Sequence, residues 1–448
     1  MKTARIKKTI CAALAGLMLT MTACTEAAPE QPTRSEPAET AATEQKNIPD
    51  APKAMSVQPL SSVTLQKTET EPNGTFYSAY NDYAAELFRQ SCMQDIEDGK
   101  NAMISPESVM MALGMAANGA KGETLSQMET ALGGLGIDDL NDAMQYHMNK
   151  LTDSEDVSFN VANSVWVRDD AQRIQMKQEF YDKVKEKYNA DSFLAPFDNG
   201  TKDDINNWVS NNTNGMIPEL IDDIPAAAVS YIINAIAFEA GWAQDYEDYQ
   251  INENDKFKNS KGKNENVTMM YSEENSYFED DDVTGFLKYY KGGDYAFMAI
   301  LPKKKGGLAD FVSDLDGEKI NKLWANCGGE VKVCIPEFSF DYDNELSDEL
   351  KAMGMELPFT ENADLSGMAE TGTGELYFSR VIHKTHIDVD RYGTKAAAAT
   401  AIELTDGAIA MPEETKEVYL NRPFAYAIID TNSGMPVFIG AVNTVNGQ

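Results

Sequence analysis

An α+β fold is expected for this chain, on three observations. Apolar residues recur at helical spacing through much of the first half of the region beyond residue 72. The second half is rich in short apolar or alternating runs that read as strands. The two kinds of segment do not alternate as βαβ units, which favours large mixed sheets with packed helices over a doubly wound parallel sheet.

The elements follow in order. Phe76 to Ile96 is an amphipathic helix, with Phe76, Tyr80, Tyr83, Leu87 and Phe88 on one face. After Ala102–Ile104 comes Ser105-Pro106, a good N-cap followed by proline at the first helical position. That helix runs to Asn118-Gly119, a stop signal. Thr201 and Asp204 have capping-box spacing ahead of Ile205, Trp208 and Val209. Val229 to Ala240 is nearly continuous apolar sequence, as in a strand buried on both faces. Phe286–Tyr290 and Tyr295–Leu301 flank Gly292-Gly293-Asp294 as a hairpin. Val331–Phe340, Leu376–Asp390, Pro423–Asp430 and Pro436–Val442 complete the strands. With no internal repeat and no second linker, residues 73–448 form one domain.

The first 72 residues read differently. Lys2, Arg5, Lys7 and Lys8 precede an apolar run, Ile10 to Met21, too short to span a membrane. The run ends in small residues before Cys24, a pattern similar to the lipobox of bacterial lipoproteins, with Met21 where leucine is usual; ordinary cleavage after Ala23 is the alternative. Residues 1–23 are therefore expected to be an export signal, with Cys24 the lipidated first residue of the mature chain. This implies a protein that is exported and anchored to a membrane without spanning it. Residues 24–72 are rich in Pro, Glu, Thr, Ala and Gln and are expected to be a disordered tether spanning about 40 Å.

Net charge excludes one class of partner. The chain carries −34. Residues 1–72 hold eight basic and eight acidic side chains, so the whole excess lies in the domain. Such a field repels phosphate backbones, and nucleic acid is not expected as a partner. Among the domain's cysteines, Cys92, Cys327 and Cys334 have no metal-like spacing and read as buried or incidental thiols, a Cys327–Cys334 bridge being possible but unforced.

Motifs for catalysis are missing. The sequence has no nucleophile elbow, no His-Glu-x-x-His helix, no phosphate-binding loop and no dinucleotide fingerprint. His383 and His386 lie at odd spacing on a strand, which points their rings to opposite faces. Val381, His383, Thr385, Ile387 and Val389 share one face, so His383 reads as a core histidine. No metal site or cofactor is expected, and an enzyme is disfavoured.

One segment stands out: Gly393-Thr394-Lys395, then Ala396, Ala397, Ala398, Ala399 and Thr400. Four consecutive alanines suit a helix by propensity, yet their small bulk also lets a loop slide between two strands.

Several segments together resemble the serpin family of protease inhibitors. They are NAMISPES (101–108), NGAKGET (118–124) with Gln127-Met128, INAIAFEAGW (233–242), ADLSGM (363–368), IHK (382–384), NRPF (421–424) and PVFIG (436–440). The resemblance runs from about residue 75 to 445 in the family's order. It implies a serpin fold, with three β-sheets, eight to nine helices and an exposed reactive-centre loop, here about 391–416. It also implies a monomeric suicide inhibitor of serine proteases, with cysteine proteases as a further target class. The protease cleaves the loop, forms an acyl-enzyme, and is carried across the molecule as the loop inserts as a new strand. The implied shutter residues are Ser105, Ser108, Asn234 and His383, with Trp242 at the breach where insertion begins.

The hinge residues can be tested against that requirement. Counting by two from Thr394, the inward set is Thr394, Ala396, Ala398, Thr400, Ile402 and Leu404, while Lys395 and Glu403 stay outside. That is a half-buried strand. Two departures stand against the family pattern: Arg391-Tyr392 and Lys395 occupy positions where acidic residues are common, and the loop is about five residues longer than usual. Counting forward from the hinge puts the scissile bond at Gly407–Ala408; counting back from Asn421 gives Met411–Pro412, and Ala408, Ile409 and Ala410 stay open. No Lys or Arg occurs between Lys395 and Lys416. Small or apolar bait residues suit elastase-like or subtilisin-like pockets rather than a trypsin-like one. The alternatives are a non-inhibitory binding protein of the same fold, cleaved only as a substrate, and an enzyme with an unfamiliar site.

Overall fold

A computed structural model of the chain describes residues 55–57, 68, 70–153, 157–372, 375–394 and 416–446. The helices in chain order are α1 (Gly74–Glu97), α2 (Pro106–Ala117), α3 (Gly122–Ala131), α4 (Ile137–Asp153), α5 (Gln178–Tyr188), α6 (Asn199–Asn212), α7 (Leu308–Ser313), α8 (Gly317–Ala325) and α9 (Ser347–Ala352). The strands are β1 (Ala102–Ile104), β2 (Val157–Arg168), β3 (Ile174–Met176), β4 (Asp191–Ala195), β5 (Ser230–Gly241), β6 (Ile251–Lys258), β7 (Asn264–Glu274), β8 (Tyr277–Glu279) and β9 (Val283–Tyr289). They continue with β10 (Tyr295–Pro302), β11 (Val331–Pro336), β12 (Phe338–Glu345), β13 (Ala369–Thr371), β14 (Ile382–Asp390), β15 (Gly393–Thr394), β16 (Lys416–Tyr419), β17 (Phe424–Asp430) and β18 (Pro436–Val442).

Among the described residues three large sheets form. One is six-stranded in the order β1-β18-β17-β10-β9-β8, and one four-stranded in the order β16-β11-β7-β6. The main sheet has the order β12-β14-β15-β5-β2-β4, and β13 pairs with β3 apart from these. The larger core packs α1 and α2 against the sheets, while a second cluster around Trp166, Phe193 and Trp208 seats α6 on β2 and β4. Trp166 and Phe193 stack at 4.2 Å.

Local chemistry explains the boundaries. Asn73 caps α1 by accepting from the amides of Thr75 and Phe76. Ser105 caps α2 by accepting from Ser108 N, and Pro106 follows at the first helical position, as expected. The hairpin at Gly292-Gly293 also forms as expected, both glycines at positive φ. Along β14 the burial alternates, with His383, Thr385, Ile387 and Val389 inward.

Several expectations need correction. Thr201 and Asp204 do not form the capping box: α6 begins earlier, capped by Asp198, whose side chain accepts from Thr201 N. Val331–Phe340 is two strands in two sheets. Pro336 ends β11, and Glu337 N donates to Thr268 O before β12 begins. The strand expected from Leu376 begins only at Ile382, because residues 375–381 join no ladder and line a cleft. On β5, the run from Ile233 to Phe238 is largely buried, but Ser230–Ile232 is half-buried where the same cleft opens. Lastly, Met55 and Val57, inside the segment read as tether, pack on the Trp166 cluster, and Ser56 donates through both its amide (2.8 Å) and its hydroxyl to the carboxylate of Asp204.

Candidate functional site

The hinge begins in a tight turn at the upper end of the main sheet. Asp390 Oδ1 accepts from Tyr392 N (2.7 Å) and Gly393 N (3.2 Å), turning the chain back. Gly393 sits at φ +151°, and a Cβ there would meet Ala240 O at 2.0 Å, so only glycine fits this close approach. Gly393 and Thr394 then lie antiparallel to both neighbours: Thr394 pairs with Val389 on β14 and with Ala240 on β5. Thr394 is buried, and its hydroxyl is 2.6 Å from Tyr290 Oη. The parity of the hinge is thereby set: Thr394 faces inward.

Trp242 closes this corner. Its ring stacks on Tyr290 at 4.7 Å with an interplanar angle of 9°, its Nε1 donates to Asp390 O, and its amide donates to Tyr392 O. Arg391 pairs with Asp248 at 3.1 Å, so the cation that departs from the family pattern has a local counter-ion. At the other base of the loop, β16 runs parallel to β11, and Lys416 reaches Glu279 at 3.2 Å.

Midway down the main sheet, polar side chains meet in an apolar setting. Ser105 N donates to His383 Nε2 at 3.0 Å, and Ser105 Oγ donates to Val437 O at 2.9 Å. Ser108 Oγ bonds Asn234 Oδ1, and Asn234 Nδ2 donates to Asn163 Oδ1 at 2.7 Å. Burial pushes His383 down to about 4, so it is neutral at pH 7 with Nε2 free to accept. The network ties β5, β14, α2 and β2 together. Below it, a cleft of about 800 Å³ lies between the lower ends of β5 and β14, lined by Ile232, Asn234, Ile382 and His383 over an α2 floor of Val109 and Leu113. Among the described residues no ladder joins β5 directly to β14; β15 alone stands between them.

The remaining sequence-derived residues divide simply. Ser105, Ser108, Asn234 and His383 come together, and Trp242, Gly393 and Thr394 come together. Ala396, Ala397, Ala398, Ala399, Thr400, the bond candidates Gly407, Ala408, Ile409, Ala410 and Met411, and Cys24 lie outside the described residues. His386 points away from His383, to Asp341 at 2.7 Å on the surface. Among the described residues no cluster could hold a metal ion, no helix is long and apolar enough to cross a membrane, and Cys92, Cys327 and Cys334 are free thiols.

Sequence reasoning missed Asn163, which extends the network, and Tyr290, which holds Thr394. It also missed Glu107. Its carboxyl is fully buried, facing His147 of α4, and neither oxygen has a hydrogen-bond partner among the described residues. Burial, then Asp430, lifts it to about 8, while burial lowers His147 to about 4. Both are neutral at pH 7, and at 3.9 Å they are too far apart for a hydrogen bond. An acidic residue following Ser105-Pro106, in an otherwise apolar helix start, was the available signal.

The comparisons agree with this architecture. The family described as Serpin (serine protease inhibitor) matches residues 78–445. A protein of the tick Ixodes ricinus named Iripin-8 is 29% identical over 367 residues, covering 78% of this chain and 89% of its own length. The crystal structure of a thermophilic serpin, tengpin, in its native state superposes with a TM-score of 0.79 at 38% identity, covering 87% of this chain and 99% of that one. Human thyroxine-binding globulin, at 24% identity and a TM-score of 0.73 over 83% of this chain and all of its own, shares the fold.

Proposed function

The chain belongs to the serpin family, and on that premise we propose that it is a suicide inhibitor of serine proteases with shallow apolar pockets, elastase-like or subtilisin-like. The observation that carries this reading is the seat of Gly393-Thr394 between β14 and β5, with the cleft continuing below. Extending that register pairs residue 396 with Phe238, 398 with Ile236, 400 with Asn234, 402 with Ile232 and 404 with Ser230 on β5. On the β14 side, residue 400 falls opposite His383. The inserted strand would thus run from Gly393 to Leu404 beside the 12 residues of β5, roughly 40 Å. Its inward positions are Thr394, Ala396, Ala398, Thr400, Ile402 and Leu404: small at the top, larger and apolar at the lower cleft.

The register also bears on the scissile bond. An acyl bond at Gly407 would leave three residues beyond Leu404, about 10 Å of chain, whereas one at Met411 would leave seven, about 23 Å. A short leash presses the captured protease against the lower end of the sheet and distorts its active site; a long one leaves it slack to deacylate. This supports Gly407–Ala408. The driving force is the new strand itself, which satisfies two rows of backbone hydrogen bonds and buries the inward set. Lipidation of Cys24 after export would hold this inhibitor at a bacterial cell surface.

The test is a panel of elastase, subtilisin and trypsin, with mass spectrometry of the released C-terminal peptide. The expected peptide begins at Ala408, with elastase or subtilisin trapped. Trypsin as the sole enzyme trapped would overturn the assignment of target class.

A further inference from the structure

A buried lysine lies behind the corner that holds Thr394. Lys288 is on β9, its side chain 3% exposed, and its Nζ is 2.9 Å from Glu274 Oε1 on β7. Glu274 is steadied by Ser272 Oγ at 2.7 Å. The same ammonium lies 4.4 Å from the centroid of the Tyr246 ring and 5.4 Å from that of Trp242. Burial alone would pull this ammonium down, but Tyr246 and Glu274 hold it above the ordinary lysine value. A desolvated cation against two aromatic faces is attracted more strongly than an exposed one.

The contacts are continuous from there to the hinge. Lys288 abuts Trp242, Trp242 stacks on Tyr290, and Tyr290 bonds the hydroxyl of Thr394. Trp242 also fixes both sides of the hinge turn through Asp390 O and Tyr392 O. We propose that Lys288, anchored by Glu274, is a positioning residue: it braces the Trp242–Tyr290 stack so that Thr394 is already seated in the main sheet before the loop is cut. Insertion then starts from a nucleated strand. Without the brace it starts from a loose one, and deacylation gains in the race. The inference rests on the inhibitory reading but is tested apart from it.

The experiment compares the full chain with K288M and E274Q. K288M removes the cation but leaves Glu274 short of a partner; E274Q keeps the shape and the lysine while weakening the anchor. Two readouts are taken. The first is hydrogen exchange of the peptide covering Gly393 and Thr394 in the uncut protein. The second is the number of inhibitor molecules consumed per protease trapped. Exchange is expected to speed up in both variants, K288M more, and consumption to rise several-fold; chains of packed contacts of this kind carry about 2- to 30-fold of coupling. A fall in thermal stability with both readouts unchanged would overturn the proposal and leave Lys288 a structural ion pair. A wild-type protein that traps nothing would overturn the inhibitory reading alone, and the exchange result would still decide on Lys288.

Discussion

Placing a charge at position 400 probes the insertion register directly. The register sets Thr400 on the inward face, level with Asn234 and His383, whose side chains are already engaged by Ser108 and Ser105. Thr400→Glu would bury a carboxyl there. The molecule supplies its own yardstick in Glu107, one residue before Ser108, whose carboxyl is lifted from 4.5 to about 8 by burial. Keeping such a group protonated at pH 7 costs about 3 kcal/mol, the gap between 4.5 and 7 taken at about 1.36 kcal/mol per pH unit. If half of that is felt in the transition state for insertion, the step slows about 20-fold. An inhibitor that inserts roughly ten times faster than it deacylates would then release protease in about two turnovers of three. The assay is the amount of inhibitor needed to silence a fixed amount of elastase or subtilisin. Ala401→Glu, one step along and facing outward, should leave that amount unchanged. Equal effects of the two substitutions, or none from Thr400→Glu, would refute the register.

Other predictions concern the rest of the molecule. Glu107 has a folded value near 8 against 4.5, so its contribution to stability is complete below 4.5 and is lost as pH rises through 8. Glu107→Gln should therefore gain on the wild type in thermal melts between pH 5 and 8 by up to about 5 kcal/mol and level off above. His383 is shifted the other way, down to about 4, so the stability it supplies is present above 6.5 and is lost as pH falls through 4. Acidification over that window should loosen the Ser105–His383 contact, read as faster hydrogen exchange in β14 and α2. Ser56→Ala removes one of two hydrogen bonds to Asp204 and should lower stability by about 1 kcal/mol in urea titrations, with faster trypsin cleavage at Lys53.

What the sequence made legible was local. Ser105-Pro106, the glycine pair at 292–293 and the alternation along β14 each act within a few residues, so the fold class and the inward face of His383 followed from pattern alone. The errors came where distant partners decided. Asp204 has the right spacing to cap with Thr201, but its carboxylate is taken by Ser56, 148 residues away in sequence, while Asp198 caps the helix. Leu376–Val381 has strand composition, yet it lines the cleft, and its backbone bonds are isolated ones, Phe378 N to Pro358 O and Leu346 N to Val381 O, so no ladder forms among the described residues. Glu337 looks like an interior strand position until β11 and β12 are seen to join different sheets. The resemblance to serpins brought the shutter residues into view, but Asn163, Tyr290 and Lys288 enter the site only through contacts between elements far apart in the chain, which no periodicity encodes.

Covalent trapping is read most directly by denaturing electrophoresis of the protein mixed with elastase or subtilisin at near-equal amounts. A trapping inhibitor should give an SDS-stable adduct, loss of protease activity near one-to-one, and release of the peptide that follows the cut. Complete cleavage of the loop with all protease activity retained would contradict trapping.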